Sequence, residues 1–167
     1  MACAVVGPPV VVAVPTFTTE CDSADCSLAT AGNFTPGAMA SCIWLPDGRV
    51  LRGANLTTID PAAPARFQSG AFKNVLAGGV HVDYVRDLPN SVQAIILADL
   101  GLTGVNGSLR TDRTGFALAA TSLSLANNAL RRFKVTIPDA LLSLDLSNNA
   151  LGHVNITQHY HPKLQTL

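Results

Sequence analysis

The sequence is short of charge. Only 13% of its 167 residues are Asp, Glu, Lys or Arg, roughly half the ~25% of an ordinary globular protein. There is one glutamate, Glu20, and there are three lysines. The residues that usually build solvent-facing helices are therefore nearly missing, and long exposed helices are not expected. Eleven Lys and Arg balance eleven Asp and Glu. With no overall basic excess to hold a phosphate backbone, no nucleic-acid partner is expected. No apolar run reaches the ~18 residues a membrane helix needs, so no membrane segment is expected in this chain. A Gly-rich phosphate loop, a G-x-S-x-G elbow, an H-E-x-x-H pair and the kinase signatures are all missing, which points away from catalysis. Yet 48% of the residues are hydrophobic, too many for a chain that stays disordered. What remains is a small, neutral protein of strands and turns.

Cysteine is absent from the last 125 residues; Cys3, Cys21, Cys26 and Cys42 all fall in the first quarter. An even number clustered at one end reads as two disulfides stapling a region without a core of its own. Free thiols are the rival reading. A zinc site fits worst, because there is no C-x2-C pair and no histidine among these residues. Four cysteines allow three pairings, and spacing does not choose between them. Four N-glycosylation sequons, at Asn33, Asn55, Asn106 and Asn155, fit an oxidising, extracellular or cell-surface location, although Asn, Gly and Thr are also ordinary turn residues. No convincing signal peptide is present: residues 2–14 are apolar but lack a basic start and are broken by Pro8 and Pro9.

From about residue 88 the apolar residues become periodic. Leu141-x-x-Leu144-x-Leu146-x-x-Asn149-x-Leu151 has the form LxxLxLxxNxL, and Ala120-x-x-Leu123-x-Leu125-x-x-Asn128-x-Leu130 repeats it 21 residues earlier. A third copy lies 28 residues before that, Val92-x-x-Ile95-x-Leu97-x-x-Leu100-x-Leu102, with Leu100 in place of Asn. Within each LxL the side chains alternate, two inward and one outward. The Asn follows where the strand turns away, and its amide can bond the backbone of neighbouring turns. Asn128 and Asn149 are thus expected to form a structural ladder. Prolines at Leu88-Pro89 and Ile137-Pro138 fix an extended approach to the strand.

These residues resemble the leucine-rich-repeat family over roughly 88–167, with SLSLANNALRRF and SLDLSNNALGHV as the specific parts. The arrangement of a cysteine-bearing cap ahead of short repeats is similar to the ectodomains of leucine-rich-repeat receptor-like kinases and receptor-like proteins. That resemblance implies a solenoid of short parallel strands with an irregular convex side and a disulfide-bonded N-terminal cap. The cap is expected over residues 1–70 and the repeats over 71–167, with units at 88–110, 116–138 and 139–161 and a fourth beginning at 162–167. Because Leu164 and Leu167 read as the start of another copy, the sequence is expected to continue past Leu167. The resemblance implies extracellular recognition of a protein or peptide ligand, without cofactor, metal or enzymatic activity in this chain. Two alternatives stay open: the front part of a receptor-like serine/threonine kinase, membrane-anchored in a longer product, or a small secreted leucine-rich protein acting as an inhibitor.

On this reading the outward columns are Ala94, Ile96, Ala98 and Asp99, then Ser122, Ser124, Ala126 and Asn127, then Ser143, Asp145, Ser147 and Asn148. Ligand hydrogen bonds would come from Asp99, Asn127, Asp145 and Asn148. Elsewhere, residues 44–51 read as a hairpin turning at Pro46-Asp47-Gly48. The segment 80–85 alternates like a strand and is a candidate degenerate repeat. Asn106 to Leu109 is expected to loop out of the long first interval, and Arg131 to Lys134 to form a basic convex-side loop. Asp83, Arg86 and Asp87 are expected as surface pairs, and His159-Tyr160-His161 as a solvated loop.

Overall fold

The computed structural model describes residues 12–19, 42–48, 50–52, 57–58, 66–68, 81–90, 92–112, 115–159 and 163–167; for 42, 50–52, 57–58 and 66–68 it describes the backbone alone. Each LxL of the repeat becomes a three-residue strand: β7 (Ala94–Ile96), β9 (Ser122–Ser124) and β11 (Ser143–Asp145). They pair in parallel and in register, Ile95 beside Leu123 and Leu123 beside Leu144. Alternation then sends one apolar column inward, with Ile95, Leu123 and Leu144 all at 1% exposure or less. Two further strands extend this front sheet: β5 (Arg66–Gln68), parallel to β7, and β4 (Thr57–Thr58), antiparallel at the edge.

Ten residues after the start of each of β7, β9 and β11 the chain extends again, as β8 (Gly104–Val105), β10 (Arg132–Thr136) and β12 (His153–Thr157). β10 and β12 pair in parallel over five residues. A bridge between Ser108 and Thr136 joins β10 to the segment after β8; there the Leu109 N–H donates to the Thr136 carbonyl at 2.8 Å and the Thr136 N–H to that of Gly107 at 2.9 Å. On its other side β8 pairs with β6 (Tyr84–Val85), then β1 (Thr16–Thr18), β2 (Cys42–Trp44) and β3 (Val50–Arg52). A second, back sheet therefore follows the first, and the inward side chains of both, among them Phe17, Leu97, Leu125, Phe133 and Ile137, form one core. Fully burying each such side chain contributes about 1.5–3 kcal/mol.

The side expected to be irregular carries this back sheet. Its cause is a second alternation that recurs beside the leucine pattern: Val105, Phe133 and Val135 point inward, while Arg132 and Lys134 point out and are exposed. Arg132 to Lys134 is consequently strand rather than loop. Asn106 to Leu109 does not loop out either, since Leu109 is buried at 1% exposure beneath the Thr136 pairing. In sequence the seven extra residues of the long interval are 111–117; of these Thr111 bridges Ala117 and Phe116 is 69% exposed.

β5 lies ahead of residue 70 yet belongs to the parallel front ladder, and β1, from the expected cap, pairs with β6. Residues 84–85, the candidate degenerate repeat, join the back sheet and not the front one. The 44–51 segment forms a hairpin, β2 against β3, whose turn places Gly48 at φ +85°, a conformation that favours glycine. Asp87 does not lie at the surface. It is 7% exposed and accepts hydrogen bonds from the Thr18 hydroxyl at 2.7 Å, the Thr19 N–H at 2.7 Å and the Thr19 hydroxyl at 2.5 Å. Charge-assisted bonds of this kind tie the N-terminal strand to the repeats. Asp83 sits 3.2 Å from His81, and Arg86 stacks 5.4 Å above the Trp44 ring. No helix of the described residues is long and apolar enough to cross a membrane.

Candidate functional site

The front sheet presents its outward side chains in register. One column runs Ala94, Ser122, Ser143 and the next Ile96, Ser124, Asp145. Apart from Ile96 and Asp145 these outward side chains are small, Ala or Ser. A face so lined is low and open, and a partner can approach the sheet closely.

Beyond the strands each coil turns through one non-glycine residue with left-handed backbone: Asp99 (φ 58°), Asn127 (φ 55°) and Asn148 (φ 54°). Asp and Asn tolerate this region better than other non-glycine residues. All three are exposed, and the Asn148 Nδ2 donates to the Asn127 Oδ1 at 2.8 Å. Three of the four expected ligand-contact residues thus stack along one rim of the sheet. The fourth, Asp145, stands on β11. Its carboxylate accepts from the Ser147 hydroxyl at 2.6 Å and N–H at 2.9 Å, and from the Ser124 hydroxyl at 3.4 Å. The Ser147 bonds hold its carboxyl below the usual carboxylate range. Of the outward residues, Ala126 departs from expectation: at 6% exposure it is buried and offers nothing to a ligand.

The next residue in each turn points inward and bridges two coils. The Asn128 Oδ1 accepts from the Leu100 and Leu102 N–H groups at 3.0 and 3.1 Å; its Nδ2 donates to the carbonyls of Leu97 and Leu125, both at 2.9 Å. Asn149 bonds the Leu130 N–H at 3.1 Å and the Leu125 and Leu146 carbonyls at 2.9 Å. Leu100 holds the same position one coil earlier and is buried at 3% exposure. These bonds fix the rim residues Asn127 and Asn148 through their immediate neighbours, so the exposed polar groups are held rather than free to swing.

A depressed carboxyl contributes stability above its unfolded value and loses it as pH falls through the folded one. Asp145 should therefore support the β9–β11 rim at neutral pH and cease to do so only in acid, below about pH 4. Asp145→Asn should lower the Tm slightly at pH 7 and not at all in acid, so that the acid limb of a Tm-against-pH curve flattens by that small amount, since the group is exposed. A large loss at pH 7 would show that Asp145 serves the fold and not the surface.

Of the other expected sites, Cys3, Cys21, Cys26, Asn33 and Asn55 lie outside the described residues, and Cys42 contributes only its backbone to β2. Asn106 and Asn155 occupy one register position of the back sheet, with Lys134 between them. Asn155 is exposed on β12, whereas the Asn106 Nδ2 donates to the Arg86 carbonyl at 2.9 Å. His159 is exposed, and Tyr160 and His161 lie outside the described residues. Among the described residues no three His, Cys, Asp or Glu side chains converge to hold a metal ion.

Sequence reasoning missed Gln158. It stands in register after Leu109 and Ile137, where its Nε2 donates to the Pro138 and Leu141 carbonyls at 3.0 Å and its Oε1 accepts from the Lys163 N–H at 2.7 Å. Its 21-residue offset from Ile137 was the available signal.

Comparison with protein-family models, with curated proteins and with solved structures finds no match to this chain.

Proposed function

We propose that this chain is a leucine-rich-repeat solenoid with a disulfide-bonded cap, working outside the cell as a recognition module that binds a protein or peptide ligand and carries no catalysis of its own. The observation that carries the reading is the register of the front sheet. Residues 28 and 21 apart in sequence fall side by side and place small outward side chains under a rim of fixed Asp and Asn groups. Stacked coils that share one core and offer one continuous face are how repeat proteins make extended binding surfaces. On this reading Asp99, Asn127, Asp145 and Asn148 supply hydrogen bonds to the ligand, and Ser122 and Ser124 form the floor beneath it. The exposed Asn155 sequon and the clustered cysteines support the extracellular location.

A displayed peptide library selected against the folded chain tests this. Ser122→Trp fills the centre of the face, and should weaken binding of a selected peptide at least tenfold while the Tm stays within a few degrees. Phe116→Ala, outside the front sheet, should leave binding unchanged. Peptides that bind Ser122→Trp as well as they bind the parent chain would overturn the reading.

A further inference from the structure

The net charge of zero conceals a local excess of one sign. Charges are mixed on the front strands: Asp145 stands outward on β11, Asp99 on the adjoining rim, and Arg66 of β5 shares the register position of Ala94. Back strands β8, β10 and β12 carry cations alone. Arg132 and Lys134 are exposed on one face of β10, with His153 beside Arg132 and Asn155 beside Lys134 on β12, and Arg131 is exposed just ahead of β10. No Asp or Glu stands on β8, β10 or β12, and Arg131, Arg132 and Lys134 make no ion pair with any described residue.

The alternation of Arg132, Phe133, Lys134 and Val135 accounts for how the cations are held. Phe133 and Val135 are buried at 0% and 3% exposure, so the strand cannot rotate and the two charged stems stand on the same side. Residues two apart on a strand are about 6.8 Å apart, and neighbouring strands about 4.8 Å. The result is a short, flat row of cations on rigid backbone, flanked by the amide of Asn155 and the hydroxyls of Thr136 and Thr157.

We infer that this back face binds a linear acidic polysaccharide, carboxylated or sulfated, separately from any ligand of the front sheet. Such a chain presents repeating anionic groups among hydroxyls, and needs a row of charges with polar neighbours instead of a pocket. An acidic peptide fits less well, because the face of β10 and β12 that carries the cations offers no apolar anchor; the exposed Val154 shares the register of buried Phe133 and lies on the other face. A single-stranded nucleic acid would want aromatic platforms, and the row has none.

The test uses the whole chain made without N-glycosylation, since Asn155 adjoins Lys134. Its probes are heparin (sulfated) and polygalacturonate (carboxylated). At least one should bind, and its affinity should fall roughly tenfold or more between about 50 and 200 mM salt, as expected for a few neutralised charges. Arg132→Thr with Lys134→Thr should weaken binding at least tenfold, whereas Lys163→Ser, an exposed lysine off the row, should not. Without any substitution, the bound polysaccharide should protect Lys134 from amine acetylation more than Lys163. Binding to heparin alone or to polygalacturonate alone supports the inference and names the anion. It is overturned by failure to bind either probe, by equal protection of the two lysines, by equal loss in the two variants, or by tighter binding to poly-glutamate, duplex DNA or anionic vesicles at matched charge.

Discussion

Asn128→Ala should lower the unfolding free energy by about 3 kcal/mol, because it strands the Leu100 and Leu102 N–H groups and the Leu97 carbonyl, while the Leu125 carbonyl keeps only its bond from Asn149. For a chain of this size that corresponds to a fall in Tm of about 6–12 °C, measurable by circular dichroism or calorimetry. Asn128→Asp should not rescue it. The carboxylate keeps the acceptor for Leu100 and Leu102 but loses both donors, and sets negative charge against the Leu97 and Leu125 carbonyls. The adjacent Asn127 is the control. Asn127→Gly keeps a residue suited to left-handed backbone and should change stability by about 0.5 kcal/mol or less. Equal effects at 127 and 128 would mean that the inward asparagine does not join neighbouring coils.

Phe133→Ala should cost about 3–5 kcal/mol, the range for emptying a fully buried aromatic site. Arg132→Ala and Lys134→Ala, one residue to either side, should each cost about 0.5 kcal/mol or less. That contrast is the signature of a strand with one wet and one dry side. A loop would give three similar, small values from urea melts. Phe133→Leu, which restores most of the volume, should recover more than half of the loss.

The front sheet was legible because LxL writes its alternation in one residue type: Leu123 and Leu125, Leu144 and Leu146 are conspicuous. The asparagines followed from the same frame, since the bend after the strand leaves backbone groups that only a short amide can bridge. The back sheet was written less plainly. Its column mixes Val105 and buried Phe133 with Val154, which is 44% exposed, and the charges at Arg132 and Lys134 read as a patch instead of a period. Aligning residues 104–109, 132–137 and 153–158 would have shown it. β5 was hidden for a related reason. Phe67 holds the place of Ile95 and Leu123, but the sequence has Ser69 two residues on, where the later copies have leucine. Asp87 was misplaced because its partners, Thr18 and Thr19, are 69 and 68 residues away, and no local pattern announces such a pairing. As for the site, its columns were readable from the spacing, but the burial of Ala126 depends on how the turn closes over it.

Deuterium uptake of the chain with and without a library-selected peptide tests the recognition face most directly. Exchange should slow in 94–99, 122–127 and 143–148, with 132–136 and 153–157 unchanged. A footprint on the back strands, or on the 111–117 loop, with the front strands unaffected, would contradict recognition through the front sheet.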